Sequence, residues 1–162
     1  MSKIQDVSWP EIMNLLGGVL TRLPYRDDVS DIGVVGISRG GLPLTTAVAS
    51  RLGTTAVGVS FIHTTHTDMA FSPKDRDGLP PLLAEGTLEA RQTVVVVDDI
   101  VRSGYTMQST VEQLRRMGYN VMTAVAPFAE SGSRDFPLLS GRSVDERTWL
   151  RFPWDQWKDL PR

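Results

Sequence analysis

Four consecutive valines, Val94 to Val97, are the feature that most constrains how this chain can fold. An alternating apolar and polar pattern would leave one face of a strand exposed, whereas an unbroken β-branched run predicts burial on both faces. We therefore expect a strand over Thr93–Val97 in the middle of a parallel sheet that carries helices on both sides. A chain of 162 residues with 41% hydrophobic residues is long and apolar enough for one such domain.

Helix and strand patterns alternate around that central strand. Ser8, Pro10 and Glu11 predict a helix start with a capping box, and an apolar stripe at three- and four-residue spacing follows. The alternation predicts a Rossmann-like, doubly wound α/β fold with a mostly parallel sheet and flanking helices, as a single domain over 1–162. The further predicted elements are strands over 32–37, 56–62 and 121–125, a helix over 43–52, and a helix that carries Val111, Leu114 and Met117 and ends at Gly118.

Residues 63–91 interrupt this alternation with a long polar stretch rich in proline and glycine. A stretch of that length in a compact domain is usually a functional flap or a disordered segment, and we predict a flexible lid. It contains both histidines, His63 and His66, for which a metal or acid–base role and simple solvation are both open.

Several classes of protein are disfavoured by composition. The formal net charge of −2 gives no overall attraction to nucleic acid or to anionic membranes, so neither is an expected partner. The absence of cysteine excludes disulfides, thiolate metal sites and cysteine nucleophiles. Residues 1–11 lack the apolar core of a signal peptide, and no apolar run is long enough to span a membrane. We expect a cytoplasmic protein.

The segment after the valine strand, Asp98-Asp99-Ile100-Val101-Arg102-Ser103-Gly104-Tyr105-Thr106, has the composition of a sugar-phosphate site. Amides at the start of the following helix favour an anion, Gly104 allows close approach, and Ser103 and Thr106 add hydroxyl donors. Asp98 and Asp99 can accept hydrogen bonds from two vicinal hydroxyls. Alone, the acidic pair could equally be a polar strand exit or a helix cap, but its setting predicts a ribose 5-phosphate site.

A second candidate loop, Ser38-Arg39-Gly40-Gly41, lies between a predicted strand and a predicted helix. Its amides and the planar guanidinium of Arg39 suit a polyanion. Taken alone, an ordinary tight turn with an exposed arginine would explain the segment better. In an open α/β sheet, however, ligands bind at the carboxyl ends of the strands, where both loops are expected.

The segment from Val94 to Thr106 resembles the PRPP-binding motif (PRPP, 5-phosphoribosyl-1-pyrophosphate) of the class I phosphoribosyltransferases. The resemblance implies that Asp98 and Asp99 hold the ribose hydroxyls and that Arg102 to Thr106, including Tyr105, hold the 5′-phosphate. It also implies that Ser38 to Gly41 bind pyrophosphate, with a non-proline cis peptide near Ser38-Arg39. Magnesium is expected as the cofactor, bound largely through PRPP oxygens and water and only weakly by Asp98 and Asp99.

The tail, Trp149 to Asp155, resembles the base-binding segment of small bacterial xanthine-guanine phosphoribosyltransferases. The resemblance implies that Trp149 stacks on the base, that main-chain groups of Leu150 read its edge, and that 127–162 form a base-binding hood. For Trp154 and Trp157 we expect packing in the core or at an oligomer interface instead.

The chain departs from the 6-oxopurine branch of that family at two positions. Arg102 stands where those enzymes usually have an aspartate near the base, and 126–128 lack the lysine expected after the next strand. We hypothesise that Arg102, which we also count with Asp98 and Asp99 among the catalytic candidates, selects an acceptor with a negative charge or an oxygen at that site.

The leading functional prediction is a phosphoribosyltransferase acting on PRPP and a nucleobase, most simply a purine, as a homo-oligomer (a dimer or a tetramer). Three alternatives remain open. One is a non-enzymatic PRPP- or nucleotide-binding regulator on the same fold, which the missing aspartate and lysine favour. Another is a transferase with a non-purine or anionic acceptor. The third is a phosphate-binding hydrolase or an unrelated Rossmann-like protein, which explains the loop at 38–41 poorly.

Overall fold

The computed structural model describes residues 3–23, 32–60, 88–89, 92–130 and 136–155. Of the predicted lid at 63–91, the structure describes only Leu88 and Glu89. His63, His66 and Trp157 lie outside the described residues. Within the described ranges no helix is long and apolar enough to cross a membrane. The elements, in chain order, are β1 (Lys3–Asp6), α1 (Trp9–Leu20), β2 (Ile32–Ile37), α2 (Leu42–Leu52), β3 (Val57–Ser60), β4 (Thr93–Val97), β5 (Ile100–Val101), α3 (Tyr105–Arg116), β6 (Asn120–Glu130), β7 (Leu138–Val144) and β8 (Thr148–Arg151).

The main sheet has six strands, with β4 between β2 and β6. Its strand order is β3-β2-β4-β6-β5, and β7 also pairs with β6; all of these pairings are parallel. Helices lie on both sides, so the predicted doubly wound, mostly parallel α/β fold is confirmed.

The valine strand divides its side chains between two hydrophobic cores. Val95 and Val97 belong to the core that contains the buried faces of α1 and α2. Val94 and Val96 belong to the core that contains the buried face of α3. All four are fully buried, as expected for a strand whose side chains alternate between two covered faces.

The predicted start of α1 is confirmed. The backbone N–H of Glu11 donates to the Ser8 hydroxyl at 3.3 Å, and Pro10 lies in the first turn. A cap of this kind satisfies a backbone donor that has no acceptor within the helix. The apolar stripe of α1 then packs against β6 and β7 as well as the core.

The strand predicted over 121–125 is too short: β6 continues to Glu130. Pro127 does not end it, because pairing with β4 stops at Val125 and pairing with β5 starts at Phe128. A missing N–H therefore costs little at that junction.

The two-stranded sheet that β1 and β8 form was not predicted at all. These strands pair residues near opposite ends of the chain, and neither has a strong local pattern. The predicted hood region accordingly contains the end of β6, all of β7 and β8, and the aromatic cluster in which Trp154 stacks on Phe152 at 4.9 Å. The expected packing role of Trp154 is confirmed.

The end of the predicted lid is attached to the sheet. Leu88 packs over β2 and β3, where a Cβ added to Gly33 or Gly58 would lie 2.4 or 2.5 Å from its methyl groups. The Gln92 side chain also accepts a hydrogen bond from the backbone N–H of Glu89 at 3.1 Å. The segment therefore rejoins the domain on the α3 side of the sheet.

Gly36 offers a test of the close contact between β2 and α2. A Cβ at this position would lie 1.9 Å from Oγ1 of the buried Thr45, which is itself held by a 2.8 Å hydrogen bond to the Gly41 carbonyl. Gly36→Ala should lower the free energy of unfolding by about 1–3 kcal/mol in urea titrations, because the core must shift to accommodate the methyl group.

The control is Gly17→Ala on the exposed side of α1, where nothing lies within 4 Å of the added Cβ. It should raise stability by up to about 1 kcal/mol through helix propensity. Adding Thr45→Ala to Gly36→Ala removes the nearest atom and should recover part of the loss. Equal effects of the two glycine substitutions would contradict the proposed contact.

Candidate functional site

The two loops singled out from the sequence meet at the carboxyl ends of neighbouring strands. β2 and β4 pair in parallel up to Gly36 and Val97, so the loops that follow them leave the sheet side by side. A Cβ on Gly40 would lie 2.0 Å from Oδ2 of Asp99. The first loop can therefore touch the acidic pair only because a glycine occupies position 40.

The loop at 38–41 is a compact turn with a cis peptide bond between Ser38 and Arg39, as the family resemblance implied. Ser38 donates its backbone N–H to the Ser60 carbonyl at 2.7 Å, and Gly41 donates to Ile37 at 2.8 Å. A Cβ on Gly41 would lie 2.4 Å from the Val97 carbonyl, so this residue also has to be small. The Arg39 side chain remains exposed at the mouth of the site.

The predicted phosphate loop ends in a helix start. Gly104 is the N-cap of α3 and has a φ of 84°, a left-handed conformation that favours glycine. The first hydrogen bond within the helix runs from the Gln108 N–H to the Gly104 carbonyl at 2.8 Å. The amides of 105–107 precede that bond, and the Tyr105 N–H donates to the Ser103 hydroxyl at 3.4 Å. No acidic residue lies in the first turn, so this helix end favours an anion.

The acidic pair lies at the end of β4, in a setting that disfavours its charge. Asp98 is only 9% exposed, and its Oδ1 accepts from the Asp99 N–H at 2.9 Å. Oδ1 of Asp99 accepts from the Ile100 N–H at 2.7 Å. Each carboxyl group thus uses one oxygen to hold its own loop, and the two side chains also lie within hydrogen-bonding reach of each other.

Burial raises the pKa of Asp98 well above its usual range, and the neighbouring charge of Asp99 acts in the same direction. Burial also raises the pKa of Asp99 to about 6, against the opposing effect of the hydrogen bond from Ile100 and with a further upward contribution from the charge of Asp155. A ligand that brings hydroxyl donors or a cation would relieve this unfavourable charge.

Arg102 points toward the tail of the chain. Its guanidinium is in an ion pair with Glu130, donates through Nη2 to the Thr148 carbonyl at 3.0 Å, and lies 5.7 Å from the ring centre of Trp149. The side chain therefore lies beside the predicted base-binding segment. Any contact of position 102 with a 5′-phosphate would fall to its main chain.

Glu130 is a residue that the sequence interpretation missed. From the family resemblance, a charged residue (a lysine) was expected at 126–128, just after the strand. β6 instead extends to Glu130, and the side chain of Glu130 contacts Arg102. The available signal was that the apolar run continues past Pro127 through Phe128 and Ala129, which favours a longer strand.

The base-binding candidates lie on β8. Trp149 is 54% exposed, whereas the Leu150 side chain is buried in the core. The carbonyl of Arg147 accepts from Lys3 in β1, and that of Arg151 accepts from Val7 just past its end. Alternate residues of a parallel strand bond to the same neighbour. Main-chain groups of Thr148 and Leu150 therefore face away from β1, toward the side where Arg102 contacts the Thr148 carbonyl.

The donor set suits a weakly held magnesium ion. Carboxylate oxygens of Asp98 and Asp99 are the ligand type that Mg²⁺ prefers. Among the parts of the chain that the structure describes, no group of three or more histidine, cysteine, aspartate or glutamate side chains could hold a metal unaided. Most ligands of such an ion would have to come from a bound phosphate compound and water.

Comparisons with known proteins agree with this architecture. Orotate phosphoribosyltransferase from Bacteroides fragilis is 30% identical over 144 residues, which are 84% of this chain and 62% of that relative. The chain thus spans less than two thirds of the curated relative's length. Two solved structures show the same fold: a purine phosphoribosyltransferase from Pyrococcus horikoshii (TM-score 0.63, 19% identity, 94% of each chain) and a Helicobacter pylori xanthine-guanine-hypoxanthine phosphoribosyltransferase (TM-score 0.62, 18% identity, 96% of this chain and 97% of that one).

A family model described as the phosphoribosyl transferase domain matches residues 12–157. That range contains the loop at 38–41, the acidic pair and its phosphate loop, and the tail with Trp149. The match covers most of the chain and the fold agrees with it, and the chain accordingly belongs to the phosphoribosyltransferase domain family.

Proposed function

We propose that this protein transfers 5-phosphoribose from PRPP to a ring nitrogen of a nucleobase and releases pyrophosphate. The observation that carries the proposal is the contact between Gly40 and the Asp99 carboxylate. This contact places the loop at 38–41, which suits a polyanion, next to the acidic pair that precedes the N-terminus of α3. PRPP carries its pyrophosphate, its ribose diol and its 5′-phosphate in the same order as these three elements: the loop, the acidic pair and the helix start.

In the proposed complex, each part of PRPP meets a separate element. The amides at the start of α3 and the hydroxyls of Ser103 and Thr106 bind the 5′-phosphate. Asp98 and Asp99 accept hydrogen bonds from the ribose hydroxyls, which replace the contact between the two carboxyl groups. The loop at 38–41 binds pyrophosphate, and the exposed Arg39 supplies the charge that the pyrophosphate requires.

The reaction breaks the bond between ribose C1 and the pyrophosphate oxygen, which leaves with the electron pair. A base nitrogen forms the new bond to C1, and the proton that this nitrogen loses passes to water. Positive charge develops at C1 during this exchange, and nearby carboxylates stabilise it. Magnesium would neutralise the leaving pyrophosphate, which makes it a better leaving group. Positioning of the two reactants supplies much of the remaining rate enhancement.

The acceptor base is proposed to lie on Trp149. A half-exposed indole beside the main-chain groups of Leu150 offers a stacking surface and an edge with hydrogen-bonding capacity. We propose a purine as the acceptor. A cytoplasmic location and a homo-oligomeric assembly remain predictions from the sequence.

One observation favours a second candidate function, a PRPP- or nucleotide-binding regulator. Position 102, close to the proposed base, holds a guanidinium in an ion pair and no group that could accept the base's proton. The two functions differ in a single measurement, because a regulator would bind PRPP without releasing pyrophosphate in the presence of a base.

The proposal is tested by incubating the protein with Mg²⁺, PRPP and one of hypoxanthine, guanine, xanthine, adenine or orotate, and measuring pyrophosphate and nucleotide. We expect turnover with at least one base. Trp149→Ala should raise the KM for that base roughly 5- to 100-fold, since stacking of a base on an aromatic ring contributes about 1–3 kcal/mol. The KM for PRPP should change little.

The matched control is Trp9→Ala, which removes another half-exposed indole, one on α1 that contacts Trp154 edge-on at 5.4 Å. This variant should keep the wild-type KM for the base. Binding of PRPP without pyrophosphate release for any base would support the regulator, and equal effects of the two tryptophan substitutions would remove Trp149 from the site.

Asp99→Asn should change stability and activity in opposite directions, raising the stability of the ligand-free protein and lowering its transferase activity. The pKa of Asp99 is about 6 in the folded protein and about 3.9 in an unfolded chain, so its contribution to stability is present at low pH and is lost as the pH rises through 6. At pH 7.5 the ligand-free variant should be more stable than wild type by roughly 2–3 kcal/mol. Phosphoribosyl transfer should fall at least tenfold, because the ribose loses an ionic acceptor.

The measurement is urea unfolding of ligand-free protein at pH 5, 6 and 7.5. Glu112→Gln is the control, since it removes a carboxylate from the exposed side of α3, 3.9 Å from Arg116. The stability difference between Asp99→Asn and wild type should shrink toward pH 5. A difference that is constant across this range would show that the Asp99 charge is not the cause.

A further inference from the structure

The side chain of Glu130 is linked through Arg102 to the strand that carries the proposed base-binding residues. It lies at the end of β6 with 19% of its side chain exposed and pairs with Arg102, of which 27% is exposed. Arg102 in turn binds the Thr148 carbonyl of β8 and lies next to the Trp149 ring. The guanidinium is therefore held from two directions beside the surface on which a base would stack.

The ion pair changes what Arg102 can offer to a ligand. A lone guanidinium would attract an anion, but the adjacent carboxylate of Glu130 cancels its charge at short range. Asp155 adds a further negative charge to the site, since it lies close enough to Asp99 to raise the pKa of that carboxyl. Among the residues that the structure describes, the guanidinium beside Trp149 is thus balanced by Glu130, and it meets a ligand as a hydrogen-bond donor more than as a net positive charge.

A carboxylated base would meet two unfavourable effects there. To pair with Arg102 it would have to break the ion pair with Glu130, which would cost the attraction between two partly buried charges. If Glu130 stayed, two carboxylates would compete for one guanidinium next to the acidic pair. A carbonyl oxygen of an uncharged base meets neither effect, because it needs only an N–H donor.

We propose that Glu130 determines the acceptor class: by neutralising and holding Arg102, it admits an uncharged base with a carbonyl oxygen and excludes carboxylated bases. The inference rests on the proposed function and deepens it. Glu130 is a positioning residue, since it acts through Arg102. From the sequence, Arg102 was expected to select an acceptor with either a negative charge or an oxygen at that site. The ion pair with Glu130 favours the oxygen.

The experiment compares hypoxanthine, an uncharged oxo-base, with orotate, a carboxylated base, in wild type and in Glu130→Gln. The amide retains an acceptor for Arg102 but removes the opposing charge. Wild type should prefer hypoxanthine. Glu130→Gln should raise the ratio of kcat/KM for orotate over hypoxanthine about tenfold or more, mainly through the KM for orotate.

Two further variants separate a charge effect from a general disturbance. Glu11→Gln removes the carboxylate of the Glu11–Arg142 ion pair, which joins α1 to β7 and has a similar 2.6 Å contact. It should leave the ratio unchanged, with thermal melting used to compare the stability of both variants. Glu130→Asp keeps the charge and should retain the wild-type preference for hypoxanthine.

Binding of product nucleotides makes the test independent of turnover. Calorimetric titration with inosine 5′-monophosphate and orotidine 5′-monophosphate should show the same preference and the same shift in Glu130→Gln. Absence of pyrophosphate release with an intact nucleotide preference would overturn the enzymatic proposal but not the role of Glu130. Turnover with a ratio that Glu130→Gln does not move would overturn the role of Glu130 alone, as would a wild-type preference for orotate or its nucleotide. Binding of neither nucleotide would overturn both.

Discussion

The rest of the structure depends on the burial of β4 between two strands and two helical layers. Its valines fill both cores, and its backbone pairs with β2 on one side and β6 on the other. Even Asp98, just past the strand, still donates its N–H to the Val125 carbonyl at 3.1 Å. The acidic pair thus directly follows the fully buried central strand, which fixes the direction in which its carboxyl groups face a ligand.

That position is electrostatically unfavourable for the protein without its ligand. Two adjacent carboxylates are partly removed from water, and Asp155 adds a third negative charge nearby. A folded protein tolerates such a group when a ligand benefits from it, since the lost stability is recovered on binding. The backbone hydrogen bonds that these carboxylates accept hold the loop, but they do not offset the burial that raises both pKa values, and shifts of this kind are typical of binding sites.

The side of the site near Trp149 differs from the acidic pair, because its charges are balanced. Around Trp149, the charge of Arg102 is balanced by Glu130 and its orientation is held by the Thr148 carbonyl. Charged groups face the proposed sugar and phosphates, whereas a neutral pair faces the proposed base. Such a division lets one small cleft hold a polyanion and a flat aromatic molecule side by side.

Local patterns in the sequence determined much of this protein: the bounds of β2 and β4, the capped start of α1, and the two loops with their glycines and acids. These features depend on residues that are close together in the chain. They can be predicted from the sequence because burial patterns, helix caps and backbone conformation involve only a few neighbouring positions. Only the tertiary structure decided that β6 runs to Glu130, that β1 pairs with β8, and that Glu130 meets Arg102 across 28 residues of chain. Pairings of this kind depend on which surfaces come together when the sheet assembles, and a linear pattern does not encode that for short, half-exposed strands.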